Sequence, residues 1–318
     1  MSRAKISVIM PIYNGAATLP ATLQSVVDQG EVPIEVIAVN QGSTDGSREI
    51  LADFATRLPL TIIDAPDSTN WMANTNIGLN AAFAPLATML HQDDLWMPGR
   101  ITALLALADT YPDAALWLHP AWFVGDDNAL TGTFGPAFGS TERLIPGPEA
   151  LQSLVVQNTI ALPAAMFRTR TARDLGGLSE DLWYTADWDF WLKLAATGPV
   201  AWTPKKLAGF RIHANSQTVQ GSKQIKDFRT QLTIPVERHI GAIDAAAQPR
   251  IKARAEASNC LNLFLAARFH KQPASIWPFL GKFLRLGPMG WASFIKDTRI
   301  IARVMPRLRI LNNKGSAT

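Results

Sequence analysis

The chain has 318 residues, of which 47% are hydrophobic and 18% charged, with a net charge of +4. This composition excludes a disordered protein and allows one large domain or two ordinary ones with a substantial core. The single cysteine, Cys260, cannot form an internal disulfide. No leader pattern precedes the first strand, and no apolar run reaches the roughly 20 residues that span a bilayer. We therefore expect a cytoplasmic protein.

The first ~115 residues alternate between strand and helix patterns. Strands are predicted at residues 5–9, 35–39, 60–63 and 86–90. Helices are predicted at residues 18–27, 48–57 (with Ser47 as N-cap), 76–83 and 98–109. This alternation is typical of an α/β fold in which a mostly parallel central sheet is flanked by helices.

From about residue 116 the pattern becomes mixed. We expect a hairpin with loops up to residue 148, then a helix at 148–157, a strand at 164–168, a helix at 188–196 and a strand at 208–212. Beyond residue 219 the sequence predicts only helices. We therefore predict one domain over residues 1–218, with halves at about 1–115 and 116–218, and a helical C-terminal extension over residues 219–318.

The extension is strongly basic. Residues 276–318 contain eight Lys or Arg and one acid, Asp297, so this segment carries +7 and the rest of the chain −3. Basic, aromatic and amphipathic helices lie on anionic membrane surfaces. The alternative is that these helices pack on the body with a solvated basic face. A nucleic-acid partner would use the same charge, but nothing else in the chain supports one, and we predict none.

Two polar turns follow the first two predicted strands, at residues 11–15 and 40–46. The carboxyl ends of adjacent parallel strands meet at one edge of a sheet, which is where α/β proteins bind ligands. Small turns containing Gly let backbone amides approach a nucleotide there. Most such turns are only turns, so this pattern is weak by itself.

The most informative feature is the pair Asp93 and Asp94, which follows the apolar run at residues 86–91 after Gln92. Adjacent carboxylates repel each other unless a cation or hydrogen-bond donors offset their charge. A hard divalent ion that carries a diphosphate does so. The alternative is a cap for the following helix, which would explain one Asp but not two in tandem.

A third feature is Asp187, at the predicted start of a helix with Trp188 and Asp189. An N-cap is again the alternative. A carboxylate near a helix N-terminus stays ionised, which suits a general base that accepts a proton from a hydroxyl. We expect the neighbouring aromatic residues to pack in the core or to line an acceptor pocket.

Taken in this order, the motifs resemble those of the family 2 glycosyltransferases, which have the GT-A fold. The resemblance spans about residues 5–218. The matching stretches are SVIMPIYNG (7–15), VNQGSTDGS (39–47), NIGL (76–79), QDDLWMP (92–98), GGLSE (176–180), ADWDFWL (186–192) and FRIH (210–213).

The resemblance implies transfer of a sugar from a nucleotide-diphosphate sugar to an acceptor hydroxyl, with inversion at the anomeric carbon. It implies Asp187 as the general base, Asp94 as a ligand of Mg²⁺ or Mn²⁺, and His213 as a contact of the metal or diphosphate. The donor would be contacted by Pro11, Tyr13, Asn14, Gln41, Ser43, Asn76 and, near the ribose, Asp93. The acceptor would be a glycan or a lipid-linked molecule in bacterial surface polysaccharide or glycolipid synthesis, with the enzyme peripheral on the inner face of the cell membrane.

The sequence departs from the family pattern at a few positions. Asn40 and Gln41 stand where two Asp are common, which leaves a preference for uracil open; Thr75 replaces a frequent Arg, and Ala186 a frequent Glu. These changes support an alternative, a nucleotide-sugar-binding protein without turnover. A nucleotidyltransferase is disfavoured because no Gly-rich run followed by Lys or Arg lies near the first strand. Since the metal-binding Asp and the base are retained, the sequence favours a metal-dependent enzyme.

Overall fold

The computed structural model describes residues 3–125, 128–212 and 221–304. The strands in these ranges are β1 (Ile6–Ile12), β2 (Ile34–Asn40), β3 (Leu60–Asp64), β4 (Leu86–Met89), β5 (Leu95–Trp96), β6 (Leu116–Leu118), β7 (Ala121–Val124), β8 (Leu130–Phe134), β9 (Arg143–Ile145), β10 (Ala165–Arg168), β11 (Val200–Trp202) and β12 (Ala208–Arg211).

The α-helices in the same ranges connect or follow these strands. They are α1 (Leu19–Val27), α2 (Ser47–Phe54), α3 (Trp71–Ala81), α4 (Arg100–Thr110), α5 (Gly147–Leu154), α6 (Thr169–Asp174), α7 (Ala186–Ala195), α8 (Ile225–His239), α9 (Gln248–Phe269), α10 (Trp277–Arg285) and α11 (Gly287–Thr298).

The main sheet has the strand order β3-β2-β1-β4-β10-β6-β11-β9. Its first four strands are mutually parallel, as predicted. Strands β1 and β2 are buried along their whole length because helices cover both faces of the sheet. The second half is mixed, because β10 runs antiparallel to both β4 and β6. A smaller sheet, β5-β12-β7-β8, contains the predicted hairpin as β7 and β8.

The first strand is longer than predicted and includes Pro11, which the sequence analysis placed in a turn. Pro11 is in register with Val39 of β2. The carbonyl of Ile9, two residues earlier and therefore on the same edge of the strand, accepts from Leu90 N at 3.0 Å. Pro11 has no N–H to donate towards β4, and β4 ends at Met89, so the proline lies where the β1–β4 ladder stops.

The structure also corrects three predicted helix starts. Helix α3 begins at Trp71, not at residue 76, and the side chain of Asn70 caps it by accepting from Ala73 N at 2.9 Å. Ser47 is the first residue of α2 and not its cap. Helix α4 begins at Arg100, not at residue 98, and follows Gly99 in a left-handed conformation (φ 75°).

The C-terminal helices differ in how they pack. Residues of α8 and α9, such as Phe228 and Ile251, belong to the same hydrophobic cluster as Leu154 of α5 and Trp188 of α7. Helix α10, in contrast, contains no buried residue. The domain boundary at residue 218 stays a prediction. No helix in the part of the chain that the structure describes combines the length and apolarity needed to cross a membrane.

Candidate functional site

The turns after β1 and β2 are joined by direct hydrogen bonds. Asn14 N donates to Ser43 Oγ at 3.0 Å, and Thr44 N donates to Asn14 Oδ1 at 2.9 Å. Gly15 N donates to Ser47 Oγ at 2.9 Å. Asn14 has a left-handed backbone (φ 47°), which Asn tolerates better than most residues. Asn14 and Ser43, both predicted to contact the donor, thus hold the two turns together.

Gln92 ties the first turn to the loop that carries the Asp pair. Its Oε1 accepts from Tyr13 N at 2.8 Å, and its Nε2 donates to Tyr13 O at 2.9 Å. Thr22 Oγ1 donates to the Gln92 carbonyl at 2.8 Å. The Tyr13 backbone is therefore fixed, while its side chain, with a residue exposure of 56%, stays open at the edge of the sheet.

The two amides that replace the common acidic pair have protein partners. Asn40 is buried, and its Nδ2 donates to Asp64 Oδ1 at 3.0 Å. Gln41 Nε2 donates to Ser68 O at 2.7 Å, while Gln41 Oε1 accepts from Asn74 Nδ2 at 3.1 Å. If Gln41 contacts the nucleobase of a donor, its side-chain amide must either share these two hydrogen bonds or give them up.

Asn76 links α3 to the loop that leads towards α7. Its Nδ2 donates to Leu178 O at 3.0 Å and to Glu180 Oε1 at 2.9 Å, and its Oδ1 accepts from Leu178 N at 2.9 Å. The neighbouring Thr75 is buried and donates to Trp71 O at 2.8 Å. The polar atoms of Asn76 are engaged with protein, so its donor contact stays a prediction.

The two adjacent carboxylates lie in different environments. Asp94 is 2% exposed, and its Oδ1 accepts from Arg211 N at 2.9 Å. Burial raises the pKa of Asp94 well above its usual value, and the nearby charge of Asp93 adds to this rise. Asp93 is partly exposed. Of the pair, Asp93 is therefore the side chain that solvent can reach.

Arg211 organises this loop, a role that the sequence analysis missed although the residue lies within FRIH. Its Nε donates to the Asp93 carbonyl at 2.8 Å. Its two terminal nitrogens donate to Gly125 O and to Asn128 Oδ1, each at 2.6 Å. One buried side chain thus joins β12, the Asp pair and the β7–β8 hairpin. His213, the other predicted metal contact, lies outside the described residues.

His91 lies two residues before Asp93, and burial of its ring lowers its pKa, although the charge of Asp93 opposes this. It packs edge-on against Trp71, with ring centroids 5.1 Å apart. Within residues 3–125, 128–212 and 221–304, no three His, Cys, Asp or Glu side chains converge to form a metal site. A partly exposed carboxylate fits Mg²⁺ or Mn²⁺ if phosphate oxygens and water complete the coordination, as is usual for Mg²⁺.

Asp187 lies in the first turn of α7, as predicted. Its Oδ2 accepts from Asn158 Nδ2 at 2.9 Å, and its Oδ1 accepts from Trp188 N at 2.8 Å. Burial raises the pKa of Asp187 to about 6, although the hydrogen bond from Asn158 opposes the rise. The sequence predicts that the helix N-terminus keeps this carboxylate ionised, but burial outweighs that effect. The carboxylate is therefore ionised only above about pH 6. No sequence pattern indicated Asn158.

The sheet brings the loop containing Asn158 to the same edge as the Asp pair. Strand β10 runs antiparallel to β4, with Met166 opposite Thr88, so the residues before β10 lie beside the carboxyl end of β4. Buried Arg100 joins both elements, because its NH2 group donates to Thr88 Oγ1 and to Pro163 O at 2.8 Å each. Asp187 is tied to the segment that precedes β10 through its hydrogen bond from Asn158.

Asp189 has a different role from Asp187. It is fully buried and accepts from Ser179 Oγ at 2.6 Å and from His239 Nε2 at 2.9 Å, and it pairs with Lys193 at 3.0 Å. Burial alone would raise its pKa, but the bonds from His239, Ser179 and Lys193 lower it. This carboxylate anchors α7 to α8 and is not available to a substrate.

The family model described as "Glycosyl transferase family 2" matches residues 7–165 of the chain. The chain is 24% identical over 244 residues to an uncharacterised glycosyltransferase of Haemophilus influenzae, covering 76% of this chain and 79% of that one. It is 28% identical over 223 residues to an uncharacterised protein of Mycobacterium tuberculosis, covering 68% of this chain and 69% of that one.

Two solved structures illustrate the fold that the chain shares with known proteins. The structure of S. aureus TarS in complex with UDP-GlcNAc aligns with a TM-score of 0.67 and 15% identity, over 94% of this chain and 90% of that one. The mannosyltransferase PcManGT from Pyrobaculum calidifontis, in complex with GDP-Man and Mn²⁺, aligns with a TM-score of 0.55 and 17% identity, over 99% and 89%. The predicted GT-A fold with a helical C-terminal region is confirmed.

Proposed function

The chain belongs to glycosyl transferase family 2, and from this premise we propose that it is an inverting, metal-dependent enzyme. In this proposal it moves a sugar from a nucleotide-diphosphate sugar to an acceptor hydroxyl. The observation that carries the proposal is Asp187, a partly exposed carboxylate whose pKa is raised to about 6. Asn158 ties it to the segment that enters β10 beside the carboxyl end of β4. A general base works best when its pKa lies near the working pH.

Asp187 would take the proton of the acceptor hydroxyl as that oxygen attacks the anomeric carbon. Asn158 and the Trp188 amide hold one carboxylate oxygen each, which fixes the plane of the group. An attack from the side opposite the diphosphate inverts the anomeric configuration. Because the base is ionised at neutral pH, it is ready to accept the proton before the donor bond breaks.

We assign the metal to Asp93 in place of Asp94, which exchanges the roles implied by the sequence motifs. Asp94 is buried, and one of its oxygens already binds the Arg211 amide. Asp93 is partly exposed, and Arg211 holds its carbonyl in place. A bound Mg²⁺ or Mn²⁺ would act as a Lewis acid that stabilises the charge on the leaving diphosphate.

The donor class is testable by thermal shift with UDP, GDP, dTDP and CDP, each with and without Mn²⁺. A ligand that binds only the folded protein raises the melting temperature. We expect a metal-dependent rise with at least one diphosphate, lost in Asp93→Ala and retained in Asp94→Asn. No rise with any of the four would contradict the proposed function.

A nucleotide-sugar-binding protein without turnover is the second candidate. It is favoured by the bonds that engage Asn40 and Gln41 with protein. Asp187→Asn separates the two, because an enzyme loses transfer and keeps donor binding, whereas a binding protein has no transfer to lose.

The setting that we propose is an anionic membrane surface on the cytoplasmic side, where a lipid-linked or glycan acceptor of surface polysaccharide or glycolipid synthesis is presented. Trp277, Leu284 and Met289 are 75%, 63% and 87% exposed. Arg285 and Lys296 are exposed too. Aromatic and aliphatic side chains beside exposed cations suit an anionic lipid surface.

Flotation of the full chain with vesicles tests this setting. We expect binding to vesicles of phosphatidylcholine with phosphatidylglycerol, and little binding to phosphatidylcholine alone. The triple change Trp277→Gln, Leu284→Gln and Met289→Gln should abolish it. The matched change Phe83→Gln, at a residue that is 61% exposed on the body, should not. Equal binding by both variants, or none by the wild type, would contradict the setting.

A further inference from the structure

A buried polar cluster connects the C-terminal extension to the catalytic body. Gln157, which follows α5, is 6% exposed, and Ser258 and Asn262 of α9 are 1% and 9% exposed. Gln157 Oε1 accepts from Ser258 Oγ at 2.7 Å and from Asn262 Nδ2 at 2.8 Å. Arg303, 6% exposed, donates to Asn262 Oδ1 at 2.8 Å.

The same cluster reaches the residue that holds the base. Gln157 Nε2 donates to the carbonyl of Asn158 at 3.3 Å. The Asn158 side chain accepts from Ile160 N at 3.2 Å through Oδ1, which leaves Nδ2 to donate to Asp187. Hydrogen bonds therefore link Arg303 through Asn262 and Gln157 to the Asn158 backbone, and the Asn158 side chain binds Asp187.

The chemistry of the cluster fixes its orientation. A primary amide buried without partners is costly, so buried amides persist where their bonds are made. Two donors on Gln157 Oε1 identify that atom as the oxygen and direct Nε2 towards the Asn158 carbonyl. The amides of Asn262 and Gln157 can each make their hydrogen bonds in one orientation only. Helix α9 therefore constrains, through Gln157, where the Asn158 amide lies.

We propose that Gln157 and Asn262 are positioning residues for the general base, so that the C-terminal extension forms part of the catalytic machinery. This inference rests on the proposed function, since it takes Asp187 as the base. Helix α9 would then contribute to the chemical step, in addition to packing on the body and carrying the basic C-terminal helices. Both residues act through Asn158 and do not touch substrate.

The test compares Asn262→Ala with Asn259→Ala on the same helix. Asn259 donates to Leu232 O of α8 at 2.9 Å and has no bond to the 157–160 segment. Both variants remove a hydrogen-bonded amide from α9, so a merely structural role predicts the same outcome for both. The measurement is kcat as a function of pH, together with donor KM and melting temperature.

We expect Asn262→Ala to lower kcat about tenfold with little change in donor KM, because the base is misplaced and the donor site is not. The acid limb of the plot of kcat against pH should move to higher pH, since a loosened Asn158 no longer lowers the pKa of Asp187. Asn259→Ala should keep the kcat and limb of the wild type. Gln157→Met, which replaces the amide by an apolar side chain of similar size, should behave as Asn262→Ala does.

Unchanged limbs in both Asn262→Ala and Gln157→Met would overturn the inference while leaving the proposed function standing. A limb that moves equally in Asn259→Ala would overturn it too, by showing a general loosening of α9. A wild type without turnover would instead remove the proposed function, and this inference with it.

Discussion

The donor side and the base side of the site are both held by hydrogen bonds, but their partners come from different parts of the chain. On the donor side, Asn14 bonds to Ser43 and Tyr13 bonds to Gln92, so both members of each pair lie within recognisable motifs. On the base side, Asp187 bonds to Asn158, whose neighbour Gln157 is fixed from 105 residues away by Asn262.

This difference indicates how the two sides can vary. The donor edge is built from local turns on a parallel sheet, so its geometry follows from the motifs themselves. The proposed base depends on a loop and a helix that no motif contains. If the proposal holds, changes in the C-terminal extension alter the chemical step without touching the donor site. The following predictions test that division.

The largest expected effect is from Asp187→Asn. Loss of the general base should lower kcat by about 10² to 10⁴, while the diphosphate-induced thermal shift stays within experimental error of the wild type. The control is Asp174→Asn, a carboxylate whose side chain is 69% exposed, which should retain full activity. Loss of donor binding in Asp187→Asn would contradict the separation of the two sides.

The next effect concerns the Asp pair. Asp93→Asn should lower Mn²⁺-dependent turnover about 100-fold, since a lost charge at the diphosphate removes several kcal/mol of stabilisation. Asp94→Asn should stay within a few-fold of wild type, because Asn still offers an oxygen to the Arg211 amide. The opposite ranking would restore the assignment made from the motif, with Asp94 as the metal ligand.

The pH dependence of kcat should show the base directly. Asp187 must be deprotonated to act, and its pKa is raised to about 6, so kcat should be constant above that pH. Below it, kcat should fall about tenfold per pH unit. Donor affinity should not follow this curve. An acid limb near pH 4, the range of an unperturbed carboxyl, would show that the surroundings of Asp187 do not raise its pKa in the working enzyme.

The smallest effect is expected on the donor side. Ser43→Ala removes the acceptor for Asn14 N, which should cost about 1 kcal/mol of stability and lower the melting temperature by a few degrees. Donor KM should rise modestly and the acid limb should not move. If the acid limb of the kcat–pH profile moved in Ser43→Ala, the donor side and the base side would not be independent.

Much of this arrangement could be predicted from the sequence. The parallel half of the sheet, the edge with its polar turns and the position of Asp187 at a helix start all follow from periodicity and motif order. These features depend on residues close together in the chain. The same local logic misplaced Pro11, because its tolerance within β1 depends on where the neighbouring β4 ends.

The remainder depends on long-range contacts that a single sequence does not display. Burial of Asp94 follows from Arg211, 117 residues away, which no spacing rule connects to it. The raised pKa of Asp187 follows from packing of α7 against α5 and α8. Asn158 and Gln157 lie in a stretch without any distinctive pattern, so only the folded chain identifies them.

The most direct test of the central claim is donor turnover by the full chain. Sugar nucleotides carrying UDP, GDP, dTDP and CDP would be incubated with Mn²⁺ and a heat-treated membrane lipid extract as the acceptor source, and the released nucleoside diphosphate measured. We predict release from at least one donor, abolished by a metal chelator and by Asp187→Asn. A donor that binds tightly but is never consumed would contradict the account and identify a binding protein.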